Sequence, residues 1–195
     1  MTEIRNVKVY GMENAVIRSG LPMTEDFGEC DYEVPDLLDW NRAIDLASKP
    51  LASGHSNFLK GITVNFDIKY PEYLSPQIQR YHWMEIISSM SKMHKITSIG
   101  VKGNCNIYVL PEIEDIVQRL IDEYNANKSY LNFMKVMSNT PMGFEKWMSI
   151  TTNYLQLKTI FHQRKNHKLK EDWGSIIDMI KELPMAEEFI INKRG

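Results

Sequence analysis

The chain has 195 residues, 43% of them hydrophobic and 25% charged, which is enough apolar material for a sizeable core and too much for a disordered chain. Its 23 Lys and Arg against 25 Asp and Glu give a formal net charge of -2. That excludes holding nucleic acid by bulk positive charge, and it leaves room for a local anion site.

One domain over residues 1–195 is expected from this length. Cys30 and Cys105 make no disulfide framework and no CxxC, so two free thiols in a reducing compartment are expected. Met1 to Tyr10 alternate polar and apolar residues and hold no apolar stretch of signal-peptide length. No run approaches the ~18 apolar residues of a membrane span. The expectation is a soluble, cytoplasmic protein without membrane contact.

Residues 24–39 carry Glu25, Asp26, Glu29, Asp31, Glu33, Asp36 and Asp39. With Pro22, Pro35 and Gly28 nearby, an irregular acidic arm over about 22–39 is expected. Trp40 to Ser48 reads as a helix ended by Pro50. Ile62 to Ile68 alternates: Ile62, Val64, Phe66 and Ile68 point one way, Thr63, Asn65 and Asp67 the other, as in a half-buried strand. Pro71 stops it, and Pro76 suits the first turn of a following helix, expected to run to about Met93. That helix would carry Gln77, Arg80, His82, Glu85, Ser88 and Ser91.

Gly100 and Gly103 break residues 96–110 into strand-like pieces. Pro111 opens a helix to about Asn125, with the apolar stripe Ile113, Ile116, Val117, Leu120, Ile121 and Tyr124 and with Glu112, Glu114 and Asp115 at its positive end. Tyr130 to Met137 reads as a short helix. Phe144 to Ile150 reads as a strand, after which Thr151 or Thr152 caps a helix to about His167. Leu157, Phe161 and Arg164 share a face of it. Trp173 to Leu183 is a last amphipathic helix. The sum is helices against a small sheet without regular βαβ alternation, an α+β fold.

Two segments carry the polar chemistry. One holds Gln77, Arg80 and His82. The other, 158–170, holds Lys158, Arg164, Lys165, Lys168 and Lys170 with His162 and His167, and no acid. Two arginines on such helices suit a phosphate through bidentate hydrogen bonds; two basic faces turned to water give the same pattern. No GxGxxG, P-loop or GxSxG motif is present, and the five His and two Cys lack zinc spacing, so no metal site is expected.

Three segments together resemble the flavin-dependent thymidylate synthases. They are Gly54-His55-Ser56-Asn57; Phe66-Asp67-Ile68-Lys69-Tyr70-Pro71 followed by Gln77 and Arg80-Tyr81-His82; and Pro141 through Arg164, with Asn153 and Arg164 at family positions. They span roughly residues 50–95 and 140–183. The chain departs from the pattern where the family's Arg-His-Arg becomes Arg80-Tyr81-His82. The family serine falls at Met90 between Ser89 and Ser91, an Asn-Glu pair becomes Ile87-Ser88, an Asn becomes Thr159, an Arg becomes Leu155, and the His after the final Arg is displaced to His167.

The resemblance implies a small antiparallel sheet packed with helices and a homotetramer that shares its sites between subunits. It also implies reductive one-carbon transfer to the pyrimidine of a deoxyuridine nucleotide such as dUMP, with FAD as cofactor and NADPH and methylenetetrahydrofolate as co-substrates. His55, Arg80, His82 and Asn153 would bind flavin, and Gln77, Ser88 and Arg164 the nucleotide monophosphate, with Arg164 also placed at the reacting base. The alternative is a protein of the same fold with an altered or silent site that binds a nucleotide or a protein partner.

Overall fold

The computed structural model describes residues 2–23 and 38–191. Most of the expected acidic arm, residues 24–37, and Cys30 lie outside the described residues.

Four strands form one antiparallel sheet in the order β1 (Glu3–Tyr10), β2 (Thr63–Pro71), β4 (Glu145–Asn153), β3 (Glu85–Ser89). The alternation of β2 sets its two faces. Val64, Phe66, Ile68 and Tyr70 are buried, whereas Thr63, Asn65, Asp67 and Lys69 are half-buried on the other side. β4 follows suit, with Thr63 opposite Asn153 and Pro71 opposite Glu145, so Met148 and Ile150 join the same apolar face.

Two helices supply much of the core that shares this face. They are α7 (Tyr154–Arg164) and α8 (Lys170–Lys181). Leu157, Ile160, Phe161, Trp173, Ile176 and Ile180 belong to the same buried cluster as the strand residues. α1 (Met12–Arg18) and α2 (Trp40–Ser48) complete it through Val16, Ala43 and Ala47. Large aliphatic side chains buried this completely cost about 2–5 kcal/mol each when cut to alanine. A second, smaller apolar cluster joins α4 (Lys92–Ile99), α5 (Pro111–Ala126) and α6 (Tyr130–Asn139) through Ile96, Val117, Ile121, Val136 and Phe144.

Three expectations are corrected. The helix from Pro76 to Met93 does not exist. α3 spans only Ser75–Ile78, a turn follows in which Tyr81 N–H donates to Ile78 O and Met84 N–H to Tyr81 O, and β3 then pairs with β4. Residues 85–89, with Ile86, Ile87 and two serines, lack an apolar stripe at helical period and find backbone partners on the free edge of β4 instead. Residues 96–110 are not broken strand: Gly100, at φ 72°, ends α4, and only Cys105 forms a bridge, opposite Phe144. The cap of α7 is Asn153 rather than Thr151 or Thr152, and the helix ends at Arg164, short of His167. Thr151 and Thr152 are still within β4.

Candidate active site

The site grows from one buried indole. Trp173 lies in the first turns of α8 and is fully buried, which forces its N–H to find a partner. It donates to Gln77 Oε1 at 3.1 Å. α3 is short enough to place Gln77 over α8, so two segments far apart in sequence meet at this bond.

Arg164, the last residue of α7, lies over the same indole with its guanidinium 4.6 Å from the ring centroid. Its Nε donates to the Tyr81 hydroxyl at 2.6 Å, and the Tyr81 hydroxyl in turn donates to Gln163 Oε1 at 3.1 Å. Tyr81 meets Trp173 edge to face at 5.9 Å, and the His167 ring lies 6.0 Å from it. Arg164 thus has a fixed plane, a cation–π contact on one ring and a hydrogen bond to another. It remains half-exposed, and its bond to Tyr81 uses only Nε. His167 is held below the usual imidazole range by burial first, then by the Arg164 and Lys168 charges, which favours its neutral form.

The turn before β3 is tied to α7 by a second route. Gln156 N–H donates to Asn153 Oδ1 at 2.9 Å, and Gln156 Oε1 accepts the Trp83 N–H at 3.3 Å. The cap of α7 therefore also fixes the 80–83 turn. This leaves Arg80, His82 and Trp83 exposed along one edge, with the His82 ring 5.0 Å from that of Trp83.

Of the residues singled out in the sequence, Gln77 and Arg164 come together on Trp173. Arg80 and His82 flank Tyr81, but both are exposed, and no hydrogen bond joins either to the cluster among the described residues. His55 is exposed at the start of the 3-10 segment His55–Gly61. Asn153 is nearly buried, and its carbonyl oxygen is committed to the cap.

Ser88 lies elsewhere. It is opposite Ser149 on β4, and with Arg5, Asp67 and Trp147 it lines a small cavity of about 250 Å³ on the face of the sheet turned away from α7 and α8. There Arg5 stacks 3.6 Å from the Trp147 ring centroid. Hydrogen bonds from Ser149 first and Asn6 next hold the Asp67 carboxyl below its usual range.

Lys158, expected on a basic face with Arg164, is instead buried, and its ammonium donates to the carbonyl of Ala47 at the end of α2. The basic stretch therefore begins at Arg164. Sequence reasoning missed Tyr81 and Trp173. Tyr81 reads as a defect in the Arg-His-Arg pattern, yet its hydroxyl is what accepts Arg164. Trp173 reads as one more apolar residue of an amphipathic helix, and only its single N–H marks it for a polar partner.

The fold is that of the flavin-dependent thymidylate synthases. Two solved structures carry the comparison. Flavin-dependent thymidylate synthase ThyX from Helicobacter pylori, complexed with FAD and dUMP, superimposes with a TM-score of 0.66 at 13% identity, over 96% of this chain and 97% of that one. The UMP/dUMP methylase PolB from Streptomyces cacaoi, bound with 5-Br UMP, does so with a TM-score of 0.63 at 10% identity, over 93% of this chain and 87% of that one. No family model matches the sequence, and no curated protein matches it. No helix of the described residues is long and apolar enough to cross a membrane.

Proposed function

We propose that the chain, acting as one 195-residue unit, is an enzyme that modifies the pyrimidine of a deoxyuridine nucleotide such as dUMP with flavin assistance. The observation that carries this reading is the meeting of Gln77 and Arg164 on Trp173, an amide and a fixed guanidinium on one aromatic floor. The Gln77 oxygen is taken by the Trp173 N–H, which leaves its amide nitrogen to donate to a uracil carbonyl, and the guanidinium suits a carbonyl or the nucleotide phosphate. The sharing of fold with proteins crystallised with FAD and dUMP, or with 5-Br UMP, supports it.

The exposed edge of the 80–83 turn has the chemistry a flavin needs. Arg80 suits its diphosphate, Trp83 and His82 its ring, and His55 is also open. Asn153 fits less well, because only its amide nitrogen remains after capping. When bound, FAD reduced by NADPH supplies a hydride and methylenetetrahydrofolate supplies the carbon. The chain's own part is to hold the base with Gln77, to polarise it with Arg164 and to hold Arg164 with Tyr81.

His55, Arg80 and His82 are all exposed on the single chain, which supports a homotetramer whose neighbours close the site. Exposed Ile107, Leu110, Tyr130 and Leu131 support such burial. A free Cys105, pushed up to about 12 by burial first and by Glu114, supports a reducing, cytoplasmic setting.

The test is the visible spectrum of the purified protein. A flavin band that NADPH bleaches is expected, together with calorimetric binding of dUMP that Arg164→Ala removes. The commitment of Asn153 to its cap favours a second reading, a protein that binds the nucleotide without flavin. A colourless protein that takes up no FAD but binds dUMP through Arg164 establishes the second reading. Failure to bind either sinks both.

A further inference from the structure

A cleft of about 480 Å³ opens beside Arg164, between the turn that follows α7 and the outer face of α8. Its cations are Arg164, Lys165, Lys170 and Lys181, and its only acid is Asp178. Asp178 already pairs with Lys181 at 2.8 Å. Lys165 and Lys170 are exposed and form no salt bridge among the described residues. Arg164 spends Nε on Tyr81 and is itself part of the cleft lining.

Two features here work against the fold. Lys170 is the first residue of α8, at the positive end of the helix dipole, where acids are favoured. Gly174 is inside α8, where glycine is the least favourable residue after proline. Its φ is not positive, and a Cβ built on it meets nothing within 4 Å. Neither backbone geometry nor packing demands a glycine at 174. What the missing side chain does is keep the cleft floor open beneath the cations.

We propose that this cleft binds the diphosphate group of a small organic or inorganic diphosphate. Three cations without a protein counter-charge match a diphosphate better than the dianion of a single phosphoryl group, and the cleft has room for more than one such group. The inference shares Arg164 with the dUMP reading but rests on Lys165, Lys170 and Gly174, which that reading does not use, and their variants tell the two apart.

The experiment is calorimetry on the full chain with inorganic pyrophosphate, orthophosphate, UDP and dUMP at low and moderate salt. Pyrophosphate and UDP are expected to bind at least about tenfold more tightly than orthophosphate. Lys165→Ala and Lys170→Ala are each expected to weaken them about tenfold, the size of one lost charged contact. Gly174→Ala, whose methyl enters the floor, should weaken them similarly while the thermal midpoint rises. Lys128→Ala, on an exposed residue away from the cleft, is the control. UDP binding more tightly than pyrophosphate identifies a nucleotide source, and equal binding identifies the diphosphate alone. Pyrophosphate no tighter than orthophosphate, or Lys165→Ala and Lys170→Ala indistinguishable from Lys128→Ala, overturns the proposal. Loss of dUMP and FAD binding with pyrophosphate binding intact removes the enzymatic reading only.

Discussion

Single side chains carry most of the chemistry. Arg164 is oriented before any ligand arrives, because Trp173 fixes its plane and Tyr81 its Nε. A hydrogen bond to a charged group is worth about 1.5–3 kcal/mol, so Arg164→Ala is expected to lower dUMP affinity about tenfold to a hundredfold by calorimetry. Tyr81→Phe keeps the ring and removes the acceptor. It should lower affinity less than Arg164→Ala does, which separates positioning from contact. Lys158 makes a different kind of prediction. Burial lowers its pKa below the ordinary 10.5, so the unfolded chain binds more protons than the folded one as pH approaches that value. The Lys158 contribution to stability therefore rises with pH, from its folded pKa up to the unfolded value, and is least favourable at neutral pH. Lys158→Met should flatten that rise, as urea unfolding of both proteins between pH 7 and 10.5 will show. A parallel pH dependence in the two proteins would sink the argument.

At the scale of elements, the ends of helices do the positioning. Asn153 ends β4 and caps α7 in one residue, and Gln156 passes that order to the 80–83 turn. Asn153→Ala is expected to cost about 1 kcal/mol in urea unfolding, the usual worth of such a cap. Gly100 is the opposite case to Gly174. Its φ of 72° suits glycine, and a Cβ there would come within 2.6 Å of Gln118 Oε1. Gly100→Ala should therefore destabilise by about 1 kcal/mol or more, whereas Gly174→Ala should stabilise by about 1 kcal/mol, read as thermal midpoints moving in opposite directions. The strand β2 was legible because burial on one side imprints a period of two on the sequence. β3 was not, because all five of its residues are exposed and its pairing partners are 59 to 66 positions away. At such an edge, nothing in the local pattern records which side is covered.

For the whole molecule, the acidic and basic halves of a near-neutral charge have different standing. The acids of 24–37 lie outside the described residues, and the bases form a cleft at the end of α7. Candidate flavin residues open on the surface of one chain call for neighbours. Light scattering is therefore expected to find a tetramer, and a thermal midpoint that rises with protein concentration should accompany it. A monomer at all concentrations would leave the flavin site without its closing walls and count against the enzymatic reading.

The sequence by itself determined the α+β class, the strand β2 and the helices α2, α5 and α6, because each is written in local periodicity. Tertiary structure alone decided that Tyr81 serves Arg164, that Trp173 joins Gln77 to it, that Lys158 is interior and that Ser88 faces the other side of the sheet. The physical reason is common to the first three, while the place of Ser88 follows from its strand register opposite Ser149. A side chain's role is set by the partner that satisfies its polar atoms once water is removed, and those partners lie on segments whose distance in sequence leaves no trace in the pattern of either.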